Sequence, residues 1–274
     1  MKEQNKQMTD YLVKAMALEG KVRIYAVRTT DVVEEARRRH DLWATASAAL
    51  GRTLSVGLMM GAMLKGEQKI TIQIRGGGPL GVMVVDANAK GQVRGYVTNP
   101  HVHLPLNKEG KLDVGQAVGR DGLVMVSKDL GLKEMYHGSS RLVSGEIGED
   151  FTYYFAQSEQ TPSAVAVGVL VAPDHRIQAS GGYIVQLLPG VDDDFITRLE
   201  QRIRKAPPVS SMVDRGYTPE EMITTLLADE EIKWLEKFPV YFSCSCSVER
   251  VKQTLISLGK TELERLLKED GQAE

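Results

Sequence analysis

The stretch TASAALGRTLSVGLMMGAML, residues 45–64, carries apolar and small side chains on nearly every side of a helix. A helix that is apolar all round must be buried all round. A membrane-spanning helix is the alternative, because Gly57-x-x-x-Gly61 superficially matches a membrane dimerisation motif. Arg52 in the middle of a segment barely long enough to span a bilayer argues against it. We therefore predict a central helix that is covered by β-sheet on both faces.

Segments with strand patterns surround this helix. Residues 69–75, KITIQIR, alternate strictly between apolar and polar side chains, and the glycine-rich sequence GGGP at residues 76–79 then turns the chain. Alternation interrupted by such turns is typical of a β-meander. We predict further strands at residues 21–27, 80–85, 93–97, 123–126, 140–145, 164–171 and 177–188, of which the last two form a long hairpin. Short helices are predicted at residues 32–40 and 150–158.

The composition excludes several classes of protein. A formal net charge of −2 over 274 residues provides no basic field of the kind that dominates nucleic-acid binding. The first residues lack the apolar segment of a signal peptide, and two cysteines make no disulfide scaffold. The Gly-x-Ser-x-Gly motif of many hydrolases is absent from the sequence. We therefore expect a cytoplasmic protein that binds neither nucleic acid nor membrane.

The two cysteines of the sequence, Cys244 and Cys246, are separated by a single residue. Ser247 is a candidate N-cap for a helix, whose unpaired N–H groups together with Arg250 would favour the thiolate form of both side chains. The spacing indicates a redox-active or metal-binding pair, while two small buried residues at the end of a strand are the structural alternative. A structural zinc needs four ligands and no histidine follows His175, so the sequence offers at most half of such a site.

Two stretches around the cysteines carry a family resemblance: FPVYFSCSCSVER at residues 238–250 and ISLGK at residues 256–260. They resemble the redox domain of heat-shock protein 33, a family of redox-regulated holdase chaperones of the bacterial cytosol. Further matches to the family lie at residues 37–40, 45–52, 76–81, 154–162 and 181–190. The resemblance therefore covers nearly the whole chain.

This resemblance implies a thiol switch. In the family, a C-x-C pair and a later C-x-x-C pair together bind one zinc when reduced, and each pair closes a disulfide when oxidised. Cys244 and Cys246 match the first pair, whereas no C-x-x-C follows in residues 247–274. We therefore expect a chain truncated before the second pair, in which zinc binding is weak or absent.

The resemblance, together with a shift in composition after residue 188, predicts three parts of an α+β chain. Residues 1–188 form the substrate-binding and dimerisation domain, with a buried helix between two sheets. Residues 189–238 form a helical linker; eighteen of its fifty residues are charged, so it has little apolar surface with which to fold alone. Its amphipathic helices, at residues 192–205 and 218–227, depend on docking, and we expect the linker to unfold first. Residues 239–274 form a small, incomplete redox-switch domain.

The function predicted from these observations is that of a stress-activated holdase, which binds unfolding proteins without turnover and is switched by thiol oxidation and zinc release. By resemblance, its partners are unfolded or partly folded clients, a second copy of the chain on activation, and the ATP-dependent foldase chaperones that receive the clients. Two alternatives remain. A C-x-C dithiol at a helix start can act as a thiol–disulfide oxidoreductase. A structural zinc-binding interaction protein would need ligands from outside this chain.

Overall fold

The computed structural model describes residues 10–228, 230–244 and 248–269. Its strands are β1 (Tyr11–Ala17), β2 (Val22–Arg28), β3 (Lys69–Arg75), β4 (Val82–Asn88), β5 (Gln92–Val97), β6 (Leu123–Asp129), β7 (Tyr136–Arg141), β8 (Ser163–Val171), β9 (Ile177–Leu187), β10 (Ile232–Pro239) and β11 (Tyr241–Phe242). Its α-helices are α1 (Thr30–His40), α2 (Ala44–Gly61), α3 (Val114–Val118), α4 (Ile147–Gln157), α5 (Asp193–Lys205), α6 (Val209–Asp214), α7 (Pro219–Leu227), α8 (Val248–Leu258) and α9 (Lys260–Glu269).

The strands form two sheets. Sheet A has the strand order β10-β1-β2-β9-β8, and sheet B has the order β11-β5-β4-β3-β6-β7. Neighbouring strands are antiparallel except β11 and β5, which are the parallel pair among the described strands. Both sheets lie in a first compact unit, Met1–Phe242, whereas α8 and α9 lie in a second unit, Ser243–Glu274. The predicted α+β class is confirmed.

Helix α2 lies between the two sheets, as its all-round apolar sequence predicts. Its glycines let it approach both sheets closely. A Cβ atom at Gly51 would lie 2.9 Å from Val169 of sheet A, and one at Gly57 would lie 2.8 Å from Val85 of sheet B. Contacts this short are not found between real Cβ atoms and their neighbours, so glycine is the residue that fits at both positions.

Arg52 shows how a charged residue is accommodated in this helix. Its guanidinium group forms an ion pair with Glu146, the N-cap of α4. Glu146 also accepts a hydrogen bond from the backbone N–H of Gly115 at 3.3 Å. Pairing lowers the cost of placing a charge at the edge of a core. Within the described ranges, no helix is long and apolar enough to cross a membrane.

Helices α5, α6 and α7 pack on the face of sheet A opposite to α2. Asp192 caps α5 by accepting a hydrogen bond from the N–H of Phe195 at 2.7 Å. Thr218 and Glu221 form a reciprocal capping box at the start of α7, and Pro219 is its first residue. Both helices therefore begin where the sequence predicts.

One segment of the predicted helical linker has a different structure. Residues 232–239 form β10, an edge strand of sheet A that pairs with β1 and places Trp234 opposite Ala15. Charged side chains are mixed with large apolar ones along this largely exposed strand, and charges are common at sheet edges exposed to solvent. The charge density that indicated a helical linker therefore also fits a solvated edge. A smaller difference is that the strand predicted at residues 140–145 occupies Tyr136–Arg141.

Candidate functional site

The outer face of sheet A, defined as the face turned away from α2, is apolar across its central strands. The alternation of side chains explains this: Ile24 and Ala26 of β2 point outward, while Tyr25 and Val27 belong to the cluster around α2. The buried apolar residues of the outer face are Val13, Ala15, Ala17, Val22, Ile24, Ala26, Ala179, Tyr183 and Val185. The central strands of sheet A, β1, β2 and β9, are therefore buried on both faces, which explains their mostly apolar sequences.

Helices α5, α6 and α7, here called the cover, bury this outer face. Their buried apolar residues are Phe195 and Leu199 from α5, Val209, Met212 and Val213 from α6, and Met222, Ile223, Leu226 and Leu227 from α7. Burial of each large side chain of this kind contributes roughly 1.5–3 kcal/mol. Removal of the cover would expose a contiguous apolar surface of a size that monomeric proteins seldom leave uncovered.

A pair of glycines brings α6 against the backbone of sheet A. Gly168 of β8 lies opposite Gly181 of β9. A Cβ atom at Gly168 would lie 2.7 Å from the backbone nitrogen of Ser210, and one at Gly181 would lie 3.0 Å from Val213. Sequence analysis predicts the β8–β9 hairpin but not this contact, because it depends on the register of the strands and on the position of α6.

Glu220 joins α7 to the edge of sheet A. Its carboxylate accepts a hydrogen bond from the hydroxyl of Tyr11 at 2.7 Å and pairs with the ammonium group of Lys237 at 2.8 Å. The Lys237 ammonium also lies 4.2 Å from the centre of the Tyr11 ring. Burial acts to raise the pKa of Glu220, but the hydrogen bonds from Lys237 and Tyr11 outweigh it and hold the pKa below its ordinary value. We call these three residues the latch.

The pKa of the Tyr11 phenol is raised, mainly because the hydroxyl is buried and secondly because it donates a hydrogen bond to the Glu220 carboxylate. Tyr11 is therefore a neutral donor at physiological pH, and the latch combines one charged and one neutral contact to the same carboxylate. Sequence analysis missed the latch, because Tyr11 and Glu220 are 209 residues apart in the chain.

The predicted thiol site lies at the start of the second unit. Cys244 is exposed. Cys246 and the predicted N-cap Ser247 lie outside the described residues. The predicted helix does follow them, because α8 begins at Val248. An exposed sulfur meets the requirement of access for reaction with oxidants.

The residues of this chain fit half of a structural zinc site. Thiolate sulfur is a preferred zinc ligand, but a closed tetrahedral site takes four ligands, and Cys244 and Cys246 supply two. In the part of the chain that the structure describes, no group of three or more His, Cys, Asp or Glu side chains is arranged to hold a metal ion. The donor set is therefore incomplete.

Comparison with known proteins places this arrangement in a family. Residues 10–274 match the family model described as Hsp33 protein. The chain belongs to the Hsp33 family. A 33 kDa chaperonin from Geobacillus kaustophilus is 59% identical over 267 residues, which cover 97% of this Hsp33 chain and 91% of that relative. A 33 kDa chaperonin from Bacillus subtilis is 57% identical over 265 residues, which cover 97% and 91% of the two chains.

A solved structure confirms the Hsp33 fold. The crystal structure of the 33 kDa chaperonin (heat shock protein 33 homolog) from Thermotoga maritima matches with a TM-score of 0.88 at 36% identity. The match covers 96% of this Hsp33 chain and 89% of that chain. The names of these relatives support a chaperone function.

Proposed function

We propose that this Hsp33 chain is a redox-regulated holdase that binds unfolding proteins on the outer face of sheet A under oxidative and heat stress. The observation that carries the proposal is the continuous apolar outer face, which the cover buries. Unfolding proteins expose apolar segments, and an uncovered apolar sheet face offers them a matching surface. Clients are held and later released, without turnover.

Among the helices of the cover, α5 has the fewest buried apolar side chains for its length and is the one best suited to detach from the sheet. Helix α5 buries Phe195 and Leu199 among its thirteen residues, and acidic and basic side chains occupy its two ends. The segment that contains the cover, residues 189–238, is also richer in charge than the chain as a whole. Elements with few buried apolar side chains open at a lower free energy than the core of a protein.

Oxidation of the thiol pair is the proposed trigger. With hydrogen peroxide as oxidant, a sulfur–sulfur bond forms between Cys244 and Cys246 and the oxygen–oxygen bond of peroxide breaks. The two thiols lose two electrons and two protons, which leave in two molecules of water. The exposure of Cys244 supports this step. Because the donor set is half complete, we propose that this chain holds zinc weakly or not at all, and no step of the switch is assigned to the metal.

We further propose that the activated chain forms a homodimer, works in the cytoplasm and passes its clients to ATP-dependent foldase chaperones. The cytoplasm keeps thiol pairs reduced until oxidative stress arises. The other edge strand of sheet A, β8, has the apolar sequence SAVAVGVLV and is one reason to expect assembly, since unpaired apolar strand edges favour association. Sedimentation at micromolar concentration, before and after oxidation, tests this part; a species that stays at 30.2 kDa throughout would contradict it.

The central experiment measures light scattering by a thermally unfolding client beside a parallel assay of insulin reduction. We expect the oxidised chain to suppress client aggregation at stoichiometric amounts and to leave insulin intact. Insulin reduction with turnover, without protection of the client, would instead assign the chain to the thiol–disulfide oxidoreductases. A variant with Cys244→Ser and Cys246→Ser serves as the control and should not respond to peroxide.

A further inference from the structure

The segment just before the cysteines crosses from one sheet to the other. Residues 232–242, here called the strap, begin as β10 in sheet A and end as β11 in sheet B. Between these strands Val240 is buried, and its N–H donates to the carbonyl of Asp10 at 3.2 Å. The N–H of Tyr241 donates to the carbonyl of Gly91 at 3.0 Å. The strap therefore closes one side of the layer between the sheets.

The last residue of the strap is held by the end of α1. The ring of Phe242 lies 5.4 Å from the guanidinium carbon of Arg39 and 6.2 Å, edge to face, from the ring of His40. Arg39 is oriented by Glu35, which accepts its Nε–H at 2.7 Å. Burial lowers the pKa of His40, and the neutral ring also forms a hydrogen bond with the backbone of Gly95. We call Phe242, Arg39 and His40 the clamp.

The clamp matters because the strand that it ends is very short. Strand β11 has two residues, so backbone pairing with β5 gives it little stability of its own. The partly buried side chain of Phe242 packs against the core cluster around α2. A segment with so few backbone bonds opens at low cost once its anchoring side chain is lost.

The middle of the strap contacts the cover. Lys237 of β10 forms the ion pair with Glu220 that belongs to the latch, and Glu220 is the second residue of α7. One continuous segment therefore connects the residue next to the thiol-bearing unit with a helix of the cover. Cys244 follows Phe242 by two residues in the sequence.

We propose that the strap is the element that transmits the state of the thiol-bearing segment to the cover, with the clamp as its side-chain contact to α1 and the latch as its side-chain contact to α7. Loss of the clamp releases β11, loosens β10 from its end, withdraws Lys237 from Glu220 and weakens the docking of α7. This inference rests on the proposed function for its purpose, but the coupling itself is measured without a client. It assigns positioning roles to Arg39, His40 and Phe242.

The test is hydrogen exchange of the reduced full chain, with Phe242→Ala compared with Tyr241→Ala. Tyr241 is the matched control, because it lies in the same strand with its side chain exposed. We expect Phe242→Ala to accelerate amide exchange in α7 by up to roughly fivefold, which corresponds to the contribution of about 1 kcal/mol of a partly exposed ion pair, and Tyr241→Ala to leave it unchanged. The amides of α2 report global unfolding, and they should stay protected in both variants.

Three further variants keep the test decisive. If Phe242→Ala opens α2 as well, Phe242→Leu keeps an apolar side chain while removing the ring contacts to Arg39 and His40. Lys237→Met keeps the aliphatic stem but removes the ion pair, so the effect of the Phe242 substitution on α7 should shrink in this background. Lys233→Met, on the same strand, is the control for Lys237→Met and should leave the effect intact.

The outcomes separate this inference from the proposed function. If Phe242→Ala accelerates exchange in β11 but leaves α7 as protected as in the unmodified chain, the strap does not transmit and the inference is wrong. If α7 opens and the reduced variant still fails to suppress client aggregation, transmission stands and the outer face of sheet A is not the client site. If Phe242→Ala accelerates exchange in α7 equally in the Lys237→Met background, the latch does not transmit the change and that step of the inference is wrong.

Discussion

Gly168 and Gly181 lie opposite each other on adjacent strands and together form the surface on which α6 rests. A methyl group at either position would meet the α6 segment at 3.0 Å or less. This contact makes the docking of the cover sensitive to a single carbon atom. A substitution at either glycine would crowd the cover and not α2, because no atom of α2 is among the nearest neighbours of the added Cβ atom.

We expect Gly168→Ala to weaken docking of the cover by about 1–3 kcal/mol, the usual cost of overpacking. The reduced variant should then suppress client aggregation without oxidant more strongly than the reduced unmodified chain does, as light scattering would show. Gly57→Ala is the control, because its Cβ would crowd Val85 of sheet B at 2.8 Å, whereas the cover packs on sheet A. Gly57→Ala is expected to lose stability without releasing the cover. If Gly168→Ala behaved in the same way, the assignment of α6 to the cover would be contradicted.

The latch should depend on pH. The pKa of Glu220 lies below its ordinary value of 4.5, so its contribution is present above that value and is lost as the pH falls through the folded-state pKa. We expect protection of α7 amides to decline in that acidic range, and Glu220→Gln to remove this part of the decline. The carboxylate is partly exposed, so the contribution is at most about 1 kcal/mol.

Glu236→Gln provides the comparison for the latch, because Glu236 pairs with Lys14 on the same edge of the sheet but does not contact α7 through that pair. Its pH profile for α7 protection should follow that of the unmodified chain. Identical profiles for all three proteins would show that the latch does not hold the helix.

The thiol pair should react under mild conditions. Because Cys244 is exposed at the start of the second unit, we expect rapid alkylation of the reduced chain and closure of a Cys244–Cys246 disulfide by low concentrations of peroxide. Mass spectrometry of peptides measures both reactions. Two thiols that resist alkylation in the native state would instead favour the interpretation of two small buried residues.

Zinc content provides a fourth test. A complete structural site contributes about 10–16 kcal/mol in small zinc domains, and two ligands out of four cannot hold the metal comparably. We expect substoichiometric zinc and some client holding by the reduced chain. Addition of a C-x-x-C tail should raise zinc content and suppress that basal holding. Stoichiometric, tightly held zinc in the chain as given would contradict this prediction.

Sequence patterns predict the parts of the fold that depend on local chemistry. The all-round apolar segment at residues 45–64 predicts the buried α2, and the residues that begin α5 and α7 carry recognisable caps at Asp192 and Thr218. The thiol pair is identified from spacing and resemblance. In each case the signal lies in a continuous stretch of sequence and does not depend on contacts between distant residues.

The contacts that sequence reasoning missed join distant parts of the chain. Residues 232–238 are predicted as part of a charged linker because nothing in the sequence shows that β1 is available to pair with them. The latch and the clamp likewise depend on tertiary packing, since Tyr11 meets Glu220 and Arg39 meets Phe242 only in the folded chain. The RRRH sequence at residues 37–40 supports the family resemblance, but its role in holding Phe242 becomes clear from the structure.

Two methionines of the cover, Met212 and Met222, are fully buried against sheet A, as Met59 and Met60 are in α2. Detachment of the cover would bring the first two into contact with the same oxidants that act on the thiols, while the pair in α2 stays shielded. Conversion to the sulfoxide makes a thioether side chain polar, so a cover altered in this way would no longer dock well. Prolonged oxidative stress would then leave methionine sulfoxide in the cover. Recovery of the covered state would require reduction of this sulfoxide in addition to reduction of the disulfide.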